Sequence, residues 1–197
     1  MLTPGINFTN FKIKKQSSLV KKKLISILKS KNEVVNSLSQ NYKNSFTKKL
    51  LHKYKKTLNY RVIGMGGSTL GTQTIYNFLK HKITKKFIFT DNLQANPNKN
   101  EKKYTNLIVS KSGNTIETIV NANIYIKNKN KNIFITENKS SYLYNLAEKL
   151  KSDIIHHNNF IGGRYSVLSE VGMLPAELMG LNANKFRGLN SLIKNKR

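Results

Sequence analysis

The chain has 197 residues, with Lys+Arg 35 against Asp+Glu 9, a formal net charge of +26 and no cysteine. That length holds one full domain with some extra, or one domain and part of a second. The missing cysteine excludes disulfides, Cys-ligated metals and a thiol nucleophile, and it fits the cytoplasm.

Residues 1–16 read as irregular, with Pro4-Gly5 as a turn signal. From Ser17 the pattern is helical: Leu19, Leu24, Ile27 and Leu28 recur at helical spacing. A second helix is predicted to carry Val34, Val35, Leu38 and Tyr42, and a third Phe46, Leu50, Leu51 and Tyr54. These are expected to be one-sided helices packed on something else, forming an N-terminal segment over 1–58. The register then changes. Strands are predicted at 61–65, 86–91, 106–110, 132–136 and 153–156, with helices near 72–80, 115–127 and 141–150 between them. Residues 92–105 are polar and read as loop or a short helix. The alternation predicts an α/β fold with a doubly wound parallel sheet over 59–182, whose ligands sit at the carboxyl ends of the strands. The stretch after Phe160 reads as loop plus helix, and 183–197 as the start of a linker or of a truncated second subdomain.

Three segments carry the chemistry. Ser110-Lys111-Ser112-Gly113-Asn114-Thr115-Ile116-Glu117-Thr118 lies between an apolar strand and a new helix. The first helical turn offers free N–H groups and a positive dipole end. Ser110, Ser112, Thr115 and Thr118 add hydroxyls and Lys111 a charge, so a phosphate monoester is the expected occupant. Helix capping explains a single hydroxyl but not this cluster. Gly64-Met65-Gly66-Gly67-Ser68-Thr69-Leu70-Gly71 follows the first strand and lets backbone approach a ligand. Read as a dinucleotide fingerprint it fails, because Thr69 stands where the third glycine belongs. A sugar-binding loop fits better. Finally, Gly162-Gly163-Arg164-Tyr165-Ser166 puts a glycine pair before an arginine, in a chain whose other arginines are Arg61, Arg187 and Arg197.

Together these segments resemble the glucose-6-phosphate isomerase family. Gly64 to Gly71 match its G-x-G-G-S-x-x-G loop, Ser110 to Thr118 its S-K-x-x-x-T-x-E-T phosphate loop, and Gly162 to Ser166 its G-G-R-[FY]-S signature, extended through Pro175. The resemblance covers roughly residues 60–182. It implies a flavodoxin-like sugar-isomerase (SIS) subdomain and an aldose–ketose isomerisation of glucose 6-phosphate and fructose 6-phosphate, without a cofactor. It implies that Gly67 and Ser68 line the sugar and that Gly163 is among the substrate-binding residues. Ser110, Lys111, Ser112, Gly113, Asn114 and Thr115 would hold the phosphate, with Thr118 supporting, and Arg164 would sit by the reacting C1–C2 atoms. It also implies a homodimer for the full-length protein.

The match is incomplete. The family's glutamate base lies in an E-S-N-G-K-like segment of its second subdomain, and its ring-opening His and Lys also come later; none is present here. Glu117 reads as structural, Glu170 has nothing to fix it near a substrate, and Glu177 is expected to face outward. His156 and His157 end a strand near the predicted site, whereas His52 and His81 read as solvated. No metal-ligand cluster is evident. The expected protein is therefore an N-terminal part that binds a sugar phosphate and is inactive alone. It would leave apolar surface exposed in the first-helix region. Two alternatives remain: a non-catalytic SIS binding module, and a basic nucleic-acid-binding protein. Against the latter, arginine clusters are missing and the lysines are scattered among asparagines, as an A/T-rich genome encodes them. A membrane partner is not expected, since no apolar run approaches the ~18 residues of a span.

Overall fold

The computed structural model describes residues 18–30, 32–93, 103–127 and 130–187. The irregular reading of 1–16 and most of the polar stretch at 92–105 lie outside the described residues. Five strands, β1 (Asn59–Ile63), β2 (Lys86–Thr90), β3 (Thr105–Val109), β4 (Asn132–Thr136) and β5 (Asp153–His156), form one sheet in the order β2-β1-β3-β4-β5. Every pairing is parallel. β3 and β4 are buried along their whole lengths, as strands covered on both faces must be.

Alternation along each strand sorts the core into two layers. Tyr60, Val62, Leu107, Val109, Ile133, Ile135 and Ile155 face α3 (Lys48–Tyr54), α4 (Leu70–Phe78) and α7 (Glu170–Leu178). Ile63, Ile108 and Phe134 face α5 (Ile116–Tyr125) and α6 (Tyr142–Lys149). Arg61, on the second face, is buried with its guanidinium 3.8 Å from the Tyr125 ring centroid and 5.0 Å from that of Tyr104. A cation stacked between two aromatic faces substitutes for hydration there.

α7 shows how the sequence manages a difficult element. Pro175 lies inside it and has no N–H for the Val171 carbonyl four residues earlier. The Thr72 hydroxyl of α4 donates to that carbonyl at 3.1 Å. Ser169 caps the helix, and Val171, Met173, Leu174 and Ala176 are buried. Burial of the three larger side chains contributes about 1.5–3 kcal/mol each.

The N-terminal helices depart from expectation. α2 (Glu33–Ser37) stops before Leu38, and Tyr42 is buried from an irregular stretch rather than from a helix face. α1 (Ser18–Lys29) does not pack one-sidedly on the domain: Leu19, Val20 and Ile27 are 60%, 65% and 54% exposed. Both faces of the sheet are already covered by α3–α7, which leaves its stripe no described surface. Ala183–Arg187 forms a 3-10 turn whose last residue is buried. The Arg187 guanidinium donates to Asn44 Oδ1 and the Leu168 carbonyl at 2.7 Å each and stacks on Tyr42, tying this turn to the N-terminal segment.

Candidate functional site

The strand order reverses direction between β1 and β3, which are direct neighbours although β2 lies between them in sequence. Loops leaving two such strands diverge to opposite faces and open a crevice at their carboxyl ends. The glycine loop leaves β1 there and the hydroxyl-rich loop leaves β3. Their closeness is tight: a Cβ on Gly64 would lie 2.8 Å from the Val109 carbonyl oxygen.

The third segment is drawn into the same place by backbone contact. Gly163–Leu168 is a 3-10 turn, and a Cβ on Gly67 would stand 2.2 Å from the Gly163 carbonyl oxygen. Ser166 Oγ lies 3.2 Å from the Gly67 carbonyl and 2.8 Å from that of Gly163, so one buried hydroxyl bridges both segments. Val167 fits against Gly71 and Gly172, where a Cβ would come within 2.7 Å of its Cγ2 and 2.0 Å of its carbonyl oxygen. Several signature glycines thus serve packing between the loops. Gly66, at φ +52°, supplies the turn itself. Ser68 is half-buried next to Gly67. Arg164 is exposed and makes no hydrogen bond or ion pair with another described residue. Its backbone belongs to the turn that meets the glycine loop at Gly67.

The side chains of the hydroxyl-rich loop divide into two sets. Ser110 is buried and its Oγ lies 3.0 Å from Thr115 Oγ1. Thr115 occupies the N-cap position of α5 but makes no side-chain cap bond, leaving the first-turn amides free for an anion. Ser112 is exposed and its Oγ accepts from the Asn114 amide at 3.3 Å. Gly113 takes φ +66°. By contrast, Lys111 Nζ donates to the Asn159 carbonyl at 2.6 Å and pairs with Glu137 at 3.4 Å. Asn114 Oδ1 accepts from the Tyr142 amide at 2.9 Å. Thr118 is sealed inside, its Oγ1 without a hydrogen-bond partner.

Glu170 and Glu177, the acids that follow the arginine turn, make structural bonds. Glu170 is 2% exposed, and its Oε1 accepts from Tyr42 OH at 3.1 Å and from the Ser45 amide at 3.3 Å. Burial, then the Glu170 charge, pushes the Tyr42 phenol far up. Glu177 does not simply face outward: it is half-buried and its Oε1 accepts from the Ala183 amide at 2.8 Å. His156 is exposed, while His157 is 3% exposed and pushed down to about 4 by burial and then by Lys111. His52 and His81 are exposed. A cavity of about 750 Å³ lies beside β5, walled by Tyr42, Ser45, His157, Asn158 and Glu170, and none of the candidate site residues lines it. Among the described residues no group of three or more His, Asp or Glu could hold a metal, and no helix is long and apolar enough to cross a membrane. Arg187 was not legible as a structural hub, because its partners lie about 19 to 145 positions away in sequence.

The family model of phosphoglucose isomerase matches residues 21–191. A glucose-6-phosphate isomerase of Acholeplasma laidlawii is 38% identical over 159 residues, 70% of this chain and 37% of that protein. One from Methanocaldococcus jannaschii is 36% identical, over 68% of this chain and 37% of its own. The chain thus spans 37% of the length of these relatives. Among solved structures, a hypothetical protein of Thermus thermophilus superposes with a TM-score of 0.69 at 20% identity, covering 88% of this chain and 46% of its own. The Escherichia coli tagatose-6-phosphate ketose/aldose isomerase gives 0.54 at 17% identity, covering 73% and 44%. The fold is therefore the parallel SIS type, and by its sequence the chain belongs to the phosphoglucose isomerase family.

Proposed function

We propose that this chain supplies the sugar-phosphate-binding half of a glucose-6-phosphate isomerase. Its phosphate site is the loop Ser110–Thr115 with the first turn of α5. Ser112, Thr115 and the free amides there receive the phosphate oxygens. Gly67, Ser68 and Gly163 border the sugar. Arg164 stands at the reacting carbons, where its guanidinium lowers the energy of the cis-enediolate oxyanion as the proton moves between C2 and C1. The observation that carries the reading is the backbone contact between Gly67 and Gly163, which brings the arginine turn to the crevice that the phosphate loop borders.

Of the glutamates that follow the arginine turn, Glu170 is buried against Tyr42 and Glu177 caps Ala183, so neither is free to shuttle that proton. A general base must reach its proton. The base and the ring-opening groups therefore come from segments outside this chain, and the chain alone binds without turning over. Titration of fructose 6-phosphate into the purified chain tests the reading. Saturable binding is expected that falls by at least about tenfold in Thr115→Val, which removes one hydroxyl donor to a dianion. Binding equal in wild type and variant overturns this assignment of the phosphate. The non-catalytic SIS module has one observation in its favour, the lack of an assignable base; undiminished binding by Arg164→Ala, with no turnover in any longer chain, would select it.

A further inference from the structure

We infer that the N-terminus of α6 is the mount that sets the shape of the phosphate loop, and that Asn114 and Ser141 are positioning residues rather than ligands of the phosphate. This inference rests on the phosphate-site reading above and refines it. The β4 end and α6 hold the loop at three successive points. The Lys111 carbonyl accepts from the Glu137 amide at 3.1 Å and from Thr136 Oγ1 at 3.3 Å. The Gly113 carbonyl accepts from the Leu143 amide at 3.0 Å. Asn114 Oδ1 accepts from the Tyr142 amide at 2.9 Å. Two first-turn amides of α6, groups every helix leaves without internal partners, are thereby spent on the loop. Ser141 caps the same helix through the Tyr144 amide at 3.3 Å.

Shape enforces the arrangement as well. A Cβ on Gly113 would lie 2.0 Å from Ser141 Oγ and 2.7 Å from its Cβ, and Gly113 sits at φ +66°. Residue 113 must be glycine for two separate reasons, and one of them is Ser141. The bonds of the mount do not involve the α5 first-turn amides or the Ser112 and Thr115 hydroxyls, whose described partners, the Asn114 amide and Ser110 Oγ, lie within the loop itself. Lys111 extends the same scaffold by reaching the Asn159 carbonyl, close before the Arg164 turn.

Substitutions separate a mount from a ligand. Asn114→Asp keeps the oxygen that accepts from Tyr142 but loses the amide donor and adds a negative charge. A positioning Asn114 predicts that fructose 6-phosphate binding weakens about threefold to tenfold in Asn114→Ala. The added charge of Asn114→Asp repels a phosphate dianion whichever role Asn114 has, so the rescue is read without ligand, on the Tyr142 amide that the retained oxygen accepts from. Gly113→Ala is expected to lose more than about tenfold. Adding Ser141→Gly is expected to recover at least about threefold, since glycine is nearly as good a cap. No recovery overturns the steric part of the mount. Amide exchange of Tyr142, measured without ligand, must quicken in Asn114→Ala and slow again in Asn114→Asp; an unchanged rate overturns the mount. Failure of the wild type to bind fructose 6-phosphate overturns the phosphate-site reading instead, and the exchange pattern still decides the mount.

Discussion

Gly67→Ala is the sharpest test of how the site is assembled. The new methyl carbon would stand 2.2 Å from the Gly163 carbonyl oxygen, 2.4 Å from its carbon and 2.9 Å from its Cα. All three are backbone atoms, so no flexible side-chain end can swing away. Restoring ordinary contact requires the loops to part by roughly 1 Å, which also pulls Ser166 from one of its two carbonyls. Overpacking of this kind costs about 2–3 kcal/mol, a fall in Tm of about 4–12 °C for a domain of this size. Two controls flank it. Gly162 has nothing within 4 Å of its would-be Cβ, and Gly163 meets only the Gly67 Cα at 3.8 Å. Alanine at either position should stay within about 0.5 kcal/mol of wild type. Thermal unfolding of the three variants reads the order directly. If Gly67→Ala melts within about 1 °C of wild type, or if the controls fall as far, the loops are not held by this contact.

Two further outcomes follow from buried groups. Folding holds His157 at about 4, below its ordinary value of 6.5. Between those values the unfolded chain takes up a proton that the folded chain refuses, so stability rises with pH across that window and is flat above it from this group. The effect reaches at most about 3 kcal/mol; denaturant titrations from pH 4 to 7 should show the slope, and His157→Phe should remove it. Arg187→Met deletes the hydrogen bonds to Asn44 and Leu168. It should cost about 3 kcal/mol in urea unfolding, and Arg187→Lys should recover little, since a point charge cannot replace the fork. An Arg187→Lys protein as stable as wild type would contradict that assignment.

The sheet was legible because its strands are apolar runs bounded by polar turns; β4 and β5 stand at 132–136 and 153–156, as read from the sequence. β1 and β3 begin earlier than expected, at 59 and 105, and also end earlier, at 63 and 109, because Gly64-Met65 and Ser110 already belong to the loops that follow. Helix packing was less legible. Period alone makes α1 look one-sided, but only the covered sheet reveals that its stripe has no described partner. At the site, the glycines read as ligand-approach positions prove also to be contact points between loops, against Gly163, Val167 and Ser141. Likewise Lys111 and Asn114 carry phosphate-binding chemistry in sequence, yet their partners Asn159 and Tyr142 lie 48 and 28 positions away. Such pairings are invisible to local pattern.

The most direct test is a coupled assay for conversion of fructose 6-phosphate to glucose 6-phosphate on the purified chain, run beside Arg164→Ala. Arg164 is exposed and makes no hydrogen bond or ion pair with another described residue, so the variant should fold with unchanged stability. The account predicts no turnover from either protein, far below the ~10 per second typical of enzymes. Turnover in the wild type that Arg164→Ala abolishes would contradict it, because these residues would then contain their own base.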